Sequence, residues 1–243
     1  MTPAGETPLF SLVVPLHDEE ENVEALLAEL DRVLPPMGTF EVIAVDDGSG
    51  DRTLEALLGG KERYSWLRIL GLEKCVGQSG ALCAGFDAAR GEYFCMMDGD
   101  LQNDPRDLEK MLSILREGRA DAVSGIRRKR RDNLVRRISS RVANRVRDWI
   151  TGDRVVDSAC GLKAFRREAW EGMPRFNGLH RFMPTLFRAR GWTVLEIDVN
   201  HRPRAAGRAK YGVGNRALRG LVDSFGVRWL KKRMVSPRVK KEY

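Results

Sequence analysis

Two aspartates, Asp98 and Asp100, flank a glycine in Met97-Asp98-Gly99-Asp100-Leu101-Gln102, directly after an apolar run. The glycine permits a tight turn, so both carboxylates can be aimed into one cavity. Hard divalent cations such as Mg2+ or Mn2+ take oxygen ligands at about 2.0–2.2 Å, usually one or two carboxylates completed by substrate phosphates. The amide oxygen of Gln102 is a further candidate ligand. The same acids would equally well cap the following turn or helix, and spacing alone does not separate the two uses. A second acidic cluster, Val45-Asp46-Asp47-Gly48-Ser49, offers carboxylates that can accept hydrogen bonds from a base N–H or from ribose hydroxyls, or that simply close a turn. Asp51 and Thr53 read as helix-opening residues. A third cluster is Pro15-Leu16-His17-Asp18-Glu19-Glu20. Gly77-Gln78-Ser79-Gly80 has the form of a phosphate-binding turn at a helix start, which makes Gly77 a candidate. It lacks the G-x-G-x-x-G spacing, and no G-x-x-x-x-G-K-[ST] occurs, so neither a dinucleotide fingerprint nor a P-loop is present.

The elements that must position these groups alternate short β-branched runs with helical patterns, the mark of a mostly parallel sheet covered by helices. Strands are expected at Phe10–Pro15, Glu41–Asp46, Leu67–Leu72 and Tyr93–Asp98, with helices at Glu19–Val33, Asp51–Leu58 and Ser79–Ala89 between them. A proline-opened helix at Pro105–Gly118 and a short strand at Asp121–Gly125 follow. Each of the four strands runs into a polar cluster. In such sheets ligands bind beyond the carboxyl ends of the strands, which is where the acidic clusters fall.

The chain has 243 residues, 42% of them hydrophobic, enough for one substantial α/β domain. Its formal net charge of +8 and pI of about 9.6 call for an anionic partner: nucleic acid, a phosphorylated substrate or an anionic lipid surface. The charge is concentrated late. Arg116 to Arg147 carries twelve Lys or Arg against three Asp or Glu, and His201 to Lys241 thirteen against one. The four cysteines form no C-x-x-C pair, so reduced thiols in a cytosolic compartment are expected. The first residues lack a signal-peptide pattern, and no stretch approaches the roughly 20 apolar residues of a membrane span. The expectation is a soluble or peripheral protein.

Five ordered motifs carry a resemblance that covers nearly the whole chain. They are V-V-P-L-H-D-E-E-E-N at Val13–Asn22, V-D-D-G-S-G-D-R-T at Val45–Thr53, M-D-G-D-L-Q-N-D-P at Met97–Pro105, D-S-A-C-G-L-K-A-F at Asp157–Phe165 and H-R-P-R-A-A-G-R-A-K-Y-G at His201–Gly212. In combination the chain resembles the family 2 glycosyltransferases, in particular the polyprenyl-phosphate branch that includes dolichyl-phosphate mannose synthase. The resemblance implies an α/β fold of GT-A type: a Rossmann-like, mostly parallel sheet flanked by helices, with basic amphipathic helices toward the C-terminus. It divides the chain into a catalytic domain at 1–212 and a basic extension at 213–243. It also implies a Mg2+- or Mn2+-dependent, inverting transfer of sugar from a nucleotide-sugar to a polyprenyl phosphate.

Carried over position by position, the resemblance gives Pro15, Glu19 and Asp47, with Asp46 and Gly77 beside them, to the nucleotide-sugar. Asp98, Asp100 and Gln102 fall on the metal and diphosphate site. Arg127, Arg136 and Ser140 fall near the acceptor phosphate, Arg204 and Lys210 on a loop over the phosphates, and Asp157 at the edge of the sugar pocket. His17-Asp18 stands where Tyr-Asn is usual, a departure at the base-binding end. Asp100, Asp157 and Arg136 are the catalytic candidates. For Asp157, simple pairing with a neighbouring arginine is the competing reading. Because the acceptor is a phosphate monoester already ionised near neutral pH, strong general-base activation is dispensable, and arginines position it instead.

Two stretches read as basic amphipathic helices. Ile138, Val142, Val146, Trp149 and Ile150 recur at helical spacing among arginines, as do Leu218, Leu221, Val222, Phe225 and Trp229. Tryptophan and arginine suit a headgroup interface, and core packing is the plainer alternative. The implied setting is the cytosolic face of a membrane, with a small membrane-spanning subunit or a homo-oligomer as possible company. A nucleic-acid-binding protein is the rival from another class, but no motif of that class is present. A transferase of the same fold acting on a non-lipid acceptor is the rival among enzymes.

Overall fold

The computed structural model describes residues 7–127, 145–203 and 213–235, the last stretch in its side chains from residue 220. Its centre is a seven-stranded sheet in the order β3-β2-β1-β4-β6-β5-β7. The strands are β1 (Phe10–Leu16), β2 (Phe40–Asp46), β3 (Leu67–Gly71), β4 (Tyr93–Met96), β5 (Ala122–Ile126), β6 (Lys163–Arg166) and β7 (Val194–Asp198). Among the described residues the helices are α1 (Glu20–Val33), α2 (Thr53–Arg63), α3 (Gln78–Ala88), α4 (Asp107–Arg116), α5 (Arg167–Trp170), α6 (Leu179–Ala189) and α7 (Val213–Arg233). Residues 145–151 are helical as well. β1 pairs in parallel with both β2 and β4, and β2 with β3, so the expected crossover units are present. β6 is the exception: it runs antiparallel between β4 and β5.

The two-residue period of the strands divides the core into two layers. Leu12, Val14 and Leu16 of β1 face a layer with Leu26, Leu27 and Leu30 of α1 and Leu108, Met111 and Leu112 of α4. Val13, with Phe94 and Met96 of β4, faces the other layer, made by Leu82 and Phe86 of α3 and by Leu179, Phe182, Met183 and Leu186 of α6. Aromatic rings fill that second layer, with Phe86 stacked on Phe94 at 5.6 Å and Phe165 against Phe187 at 5.0 Å. α7 joins the same layer through Val227, with Leu230 and Met234 beside it.

The expected elements of the first half are present with shifted ends. α2 continues to Arg63, past the expected end at Leu58, and Gly60 faces Leu27 of α1 so closely that a Cβ there would overlap it. The glycine serves helix-to-helix approach and does not end the helix. β4 stops at Met96, two residues short of the expected end, since Asp98 has left the ladder for the turn. β6, β7, α5 and α6 were not anticipated. The expected helix through Ile138 and Val142 lies partly outside the described residues. In α7 the stripe read as apolar is the outward one: Val222, Phe225 and Trp229 are exposed, while Ser224 and Val227 are buried. No described helix is long and apolar enough to cross a membrane.

Candidate active site

The carboxyl ends of β1, β2 and β4 lie side by side, as the register Leu16↔Asp46 and Val13↔Met96 requires. The three acidic clusters therefore share one edge of the sheet. At the β2 end Asp46 and Asp47 are both buried, each 3% exposed. Asp46 accepts from the Ser49 hydroxyl and tightens its own turn. Asp47 accepts from the backbone N–H groups of Val76 (2.7 Å) and Gly77 (2.8 Å), while its carbonyl meets His17 Nδ1 at 2.8 Å. Directly after them Gly48, at φ +59°, lies against the backbone of Lys74 and Cys75, where a Cβ would meet the Cys75 nitrogen at 2.6 Å. Only glycine fits there.

The β1 end is laced to the same turn. Asp18 accepts from Gly50 N–H at 2.7 Å, and Glu19 N–H donates to Thr53 Oγ1 at 2.8 Å. Glu19 itself accepts from Asn22 at 2.6 Å. Pro15 is half-buried in β1. Pro15, Glu19, Asp46, Asp47 and Gly77 are thus gathered at one place, with Asp46 and Asp47 engaged in holding the walls together.

At the β4 end Asp98 and Asp100 are half-buried, and the Asp100 charge acts on Asp98. Burial, then the Asp100 charge, pushes the Asp98 carboxyl up to about 6, against the opposing pull of Lys163, Arg127 and the Gln78 amide. Gln78 Nε2 donates to Asp98 Oδ1 at 2.6 Å. Gly161 packs directly on this carboxylate, where any Cβ would overlap it. Gln102 is adjacent, but its Nε2 donates to the Arg202 carbonyl at 3.3 Å, and its own carbonyl accepts Arg202 N–H at 2.8 Å. It clasps the two segments together. Arg202 in turn bridges Glu29 of α1 (2.8 Å) and Asp104 (2.9 Å).

Among the described residues no group of three His, Cys, Asp or Glu side chains gathers as a metal cage. The donor set at the β4 end is a carboxylate pair, one member raised by the other's charge. That set fits Mg2+ or Mn2+, which keep few protein ligands and fill the rest with phosphate oxygens and water.

The opposite side of the site is built differently. Arg127, at the end of β5, forms a two-pronged ion pair with Asp157 (Nε–Oδ2 2.7 Å, Nη2–Oδ1 2.8 Å), with side chains 10% and 11% exposed. Burial opposes the Arg127 charge, but Asp157 outweighs it and pushes the guanidinium pKa up. The pairing alternative for Asp157 is the geometry found. Beneath them Lys163 is 2% exposed, in register with Met96 and Ser124, and donates to the Cys160 carbonyl. Burial pushes its ammonium down, with Asp98 and Asp157 among the groups opposing that shift. Sequence reasoning passed over Lys163, Gly161 and Gln78. The visible signal was a lysine opening the apolar run of the Asp157–Phe165 motif. Arg136, Ser140, Arg204 and Lys210 lie outside the described residues.

Comparison with known proteins places this geometry. The family model for glycosyl transferase family 2 matches residues 11–173. The chain is 36% identical over 237 residues to a dodecaprenyl-phosphate galacturonate synthase of Rhizobium johnstonii, covering 94% of this chain and 69% of that one. It is 35% identical over 205 residues to an undecaprenyl-phosphate 4-deoxy-4-formamido-L-arabinose transferase of Pseudomonas paraeruginosa, covering 84% and 60%. It thus spans three-fifths to two-thirds of the length of such relatives. Two solved structures share the fold. One is a mannosyltransferase of Pyrobaculum calidifontis with GDP-Man and Mn2+, at TM-score 0.67 and 22% identity, covering 96% of this chain and 67% of that one. The other is a glucosyl-3-phosphoglycerate synthase of Mycobacterium tuberculosis with Mg2+ and UDP, at TM-score 0.70 and 20% identity, covering 92% and 81%.

Proposed function

Because the chain belongs to glycosyl transferase family 2, we propose that it transfers a sugar from a nucleotide-sugar to a polyprenyl phosphate, with inversion at the anomeric carbon. The observation that carries this reading is the carboxylate pair Asp98 and Asp100 at the end of β4, with Asp98 raised to about 6 and Gly161 leaving it room. The names of the dodecaprenyl- and undecaprenyl-phosphate relatives support the acceptor class.

In this reading an oxygen of the acceptor phosphate attacks the anomeric carbon as the bond to the donor diphosphate breaks, and the nucleoside diphosphate departs. A Mg2+ or Mn2+ ion held by Asp98 and Asp100 would supply neutralisation of the charge on that leaving group. Pro15, Glu19 and the Gly77 turn form the walls around the nucleoside, and Asp46 and Asp47 fix those walls. Arg127, locked by Asp157, presents a fixed cation to the acceptor phosphate; no neutral nucleophile has to be deprotonated, so Asp157 acts by orienting. Arg136, Ser140, Arg204 and Lys210 are assigned to the phosphates on the strength of their motifs. Gln102 acts as the clasp to Arg202.

We assign the chain to the cytosolic face of a membrane, held peripherally, with 213–243 as an interfacial extension. Trp149 is 76% exposed and Trp229 63%, beside Phe225, Arg228 and Lys232. Arg228 and Lys231 donate to the carbonyls of Ile150 and Thr151, which ties the two tryptophan-bearing helices together. Aromatic and basic side chains together suit anionic headgroups. A small membrane-spanning subunit or self-association remains part of the proposal, and nucleic acid does not. The test is transfer of labelled sugar from a panel of GDP- and UDP-sugars to a short polyprenyl phosphate in detergent. Product that forms with Mn2+ or Mg2+ and disappears with chelator is expected; no product with any donor would end the reading.

A further inference from the structure

His180 has no part in the chemistry described so far, yet it is bound to the turn at the centre of the site. That turn, Gly77-Gln78-Ser79, opens α3 with Gly77 at φ +87°. Two of its contacts reach the acidic strand ends: the Val76 and Gly77 amides go to Asp47, and the Gln78 amide goes to Asp98. The third runs to the start of α6, nearly a hundred residues later in the chain. Ser79 Oγ, on a residue 3% exposed, accepts Gly178 N–H at 3.0 Å and lies 2.8 Å from His180 Nδ1. The turn is therefore fixed from three sides, and two of the anchors are groups assigned to the donor.

The hydrogen-bond inventory at Ser79 sets the direction of the third contact. A serine hydroxyl has one proton and two lone pairs. Gly178 N–H occupies one lone pair, and His180 Nδ1 is the acceptor this pair of contacts offers the hydroxyl proton, an arrangement that requires the neutral imidazole's own proton on Nε2. Loss of that acceptor would leave a buried hydroxyl proton with no partner there, and buried polar groups without partners are costly. Gly178 reinforces the arrangement. It sits at φ +98°, where a Cβ would meet Asp223 of α7 at 2.8 Å, so the start of α6 is held on both sides.

We propose that His180 is a positioning residue for the donor site: through Ser79 it sets the Gly77–Ser79 turn, and through that turn the placement of the Gln78 amide on Asp98. This rests on the assignment of Asp98 and the Gly77 turn to the nucleotide-sugar. The occupant of the site meets the turn and not the imidazole, so the effect appears in donor binding and leaves the acceptor step alone.

A double-mutant cycle between Ser79→Ala and His180→Phe tests it, read as donor KM and kcat with the Mn2+-loaded chain and as nucleoside-diphosphate affinity by calorimetry. Each single variant is expected to raise donor KM about fivefold, the equivalent of one buried neutral hydrogen bond, with kcat changed less than twofold. The double variant should be no worse than either single, because the two residues make one contact. His180→Asn, whose side-chain oxygen can replace Nδ1 as acceptor, should restore most of the affinity. Melting temperatures that fall while donor KM stays at the parent value would overturn the proposal, as would additive effects or an inactive His180→Asn that still folds. Failure of the parent chain to bind any nucleotide-sugar would instead overturn the donor assignment, and this inference with it.

Discussion

The two sides of the site are stabilised in contrasting ways. On the side given to the donor, at the ends of β1, β2 and β4, acidic side chains are held by backbone amides and short polar residues, and the carboxylate pair Asp98 and Asp100 repels itself. On the other side, beyond β5, opposite charges are already matched: Arg127 clamps Asp157, with Lys163 buried below. One region is an electrostatic deficit of the kind that the proposed cation and diphosphate would fill. The other is a rigid frame in which Asp157 holds the Arg127 guanidinium in one orientation. The contrast teaches that acidity alone does not mark a metal site; what matters is whether the protein supplies the countercharge itself.

Removing a carboxylate on the deficient side should have the largest effect. Asp100→Ala is expected to lower sugar transfer on the order of a thousandfold while the fold survives, measured by product formation and melting temperature. No single candidate base should prove as indispensable. On the matched side the loss should be in stability. Arg127→Met takes the two-pronged partner from the buried Asp157 and should cost about 3–5 kcal/mol in denaturant unfolding, whereas Arg127→Met with Asp157→Leu should recover much of it. A pair whose removal one residue at a time cost nothing would erase the distinction between the two sides.

A subtler consequence concerns pH. Asp98 binds its proton more tightly folded than unfolded, since its carboxyl is raised to about 6. Between the ordinary aspartate value and about 6 the folded chain therefore holds more protons, and stability should fall as pH rises through that window. Mn2+ should reverse the fall above about 6, and Asp98→Asn should remove both effects in a series of melting curves. A cation response that persisted unchanged in Asp98→Asn would move the cation elsewhere. The smallest effect is expected away from both regions: Trp149→Ser with Trp229→Ser should reduce flotation with anionic vesicles about tenfold and leave donor affinity untouched.

Much of the donor side was legible in the sequence because its signals are local. An apolar run ending in Asp-Gly-Asp or Asp-Asp-Gly-Ser names a strand, a turn and a pair of carboxylates within six residues. The other side depends on partners far apart in the chain. Arg127 meets Asp157 across thirty residues, and Lys163 is acceptable in a core only because Asp98, Asp157 and the Cys160 carbonyl surround it. β6 was missed for the same reason, being four residues long and opening on that lysine. That Gln102 lies beside the carboxylates was legible from its spacing, while its contact to Arg202 a hundred positions away could not be read from its neighbours. α7 shows the limit of periodicity: the apolar stripe was real, but a helix with two usable faces does not say which one meets the core.

The reversed strand β6 has one more implication. Because β5 runs with β4 and β6 runs against both, the chain quits the sheet after Ile126 and re-enters at Lys163 on the same rim. A connection that leaves and returns on one rim can differ in length without shifting a strand, provided Arg127, Asp157 and Gly161 keep their places beside Asp98. The reversal thus sets a connection that could be reshaped apart from the acidic ends of β1 and β2, which no part of it has to cross.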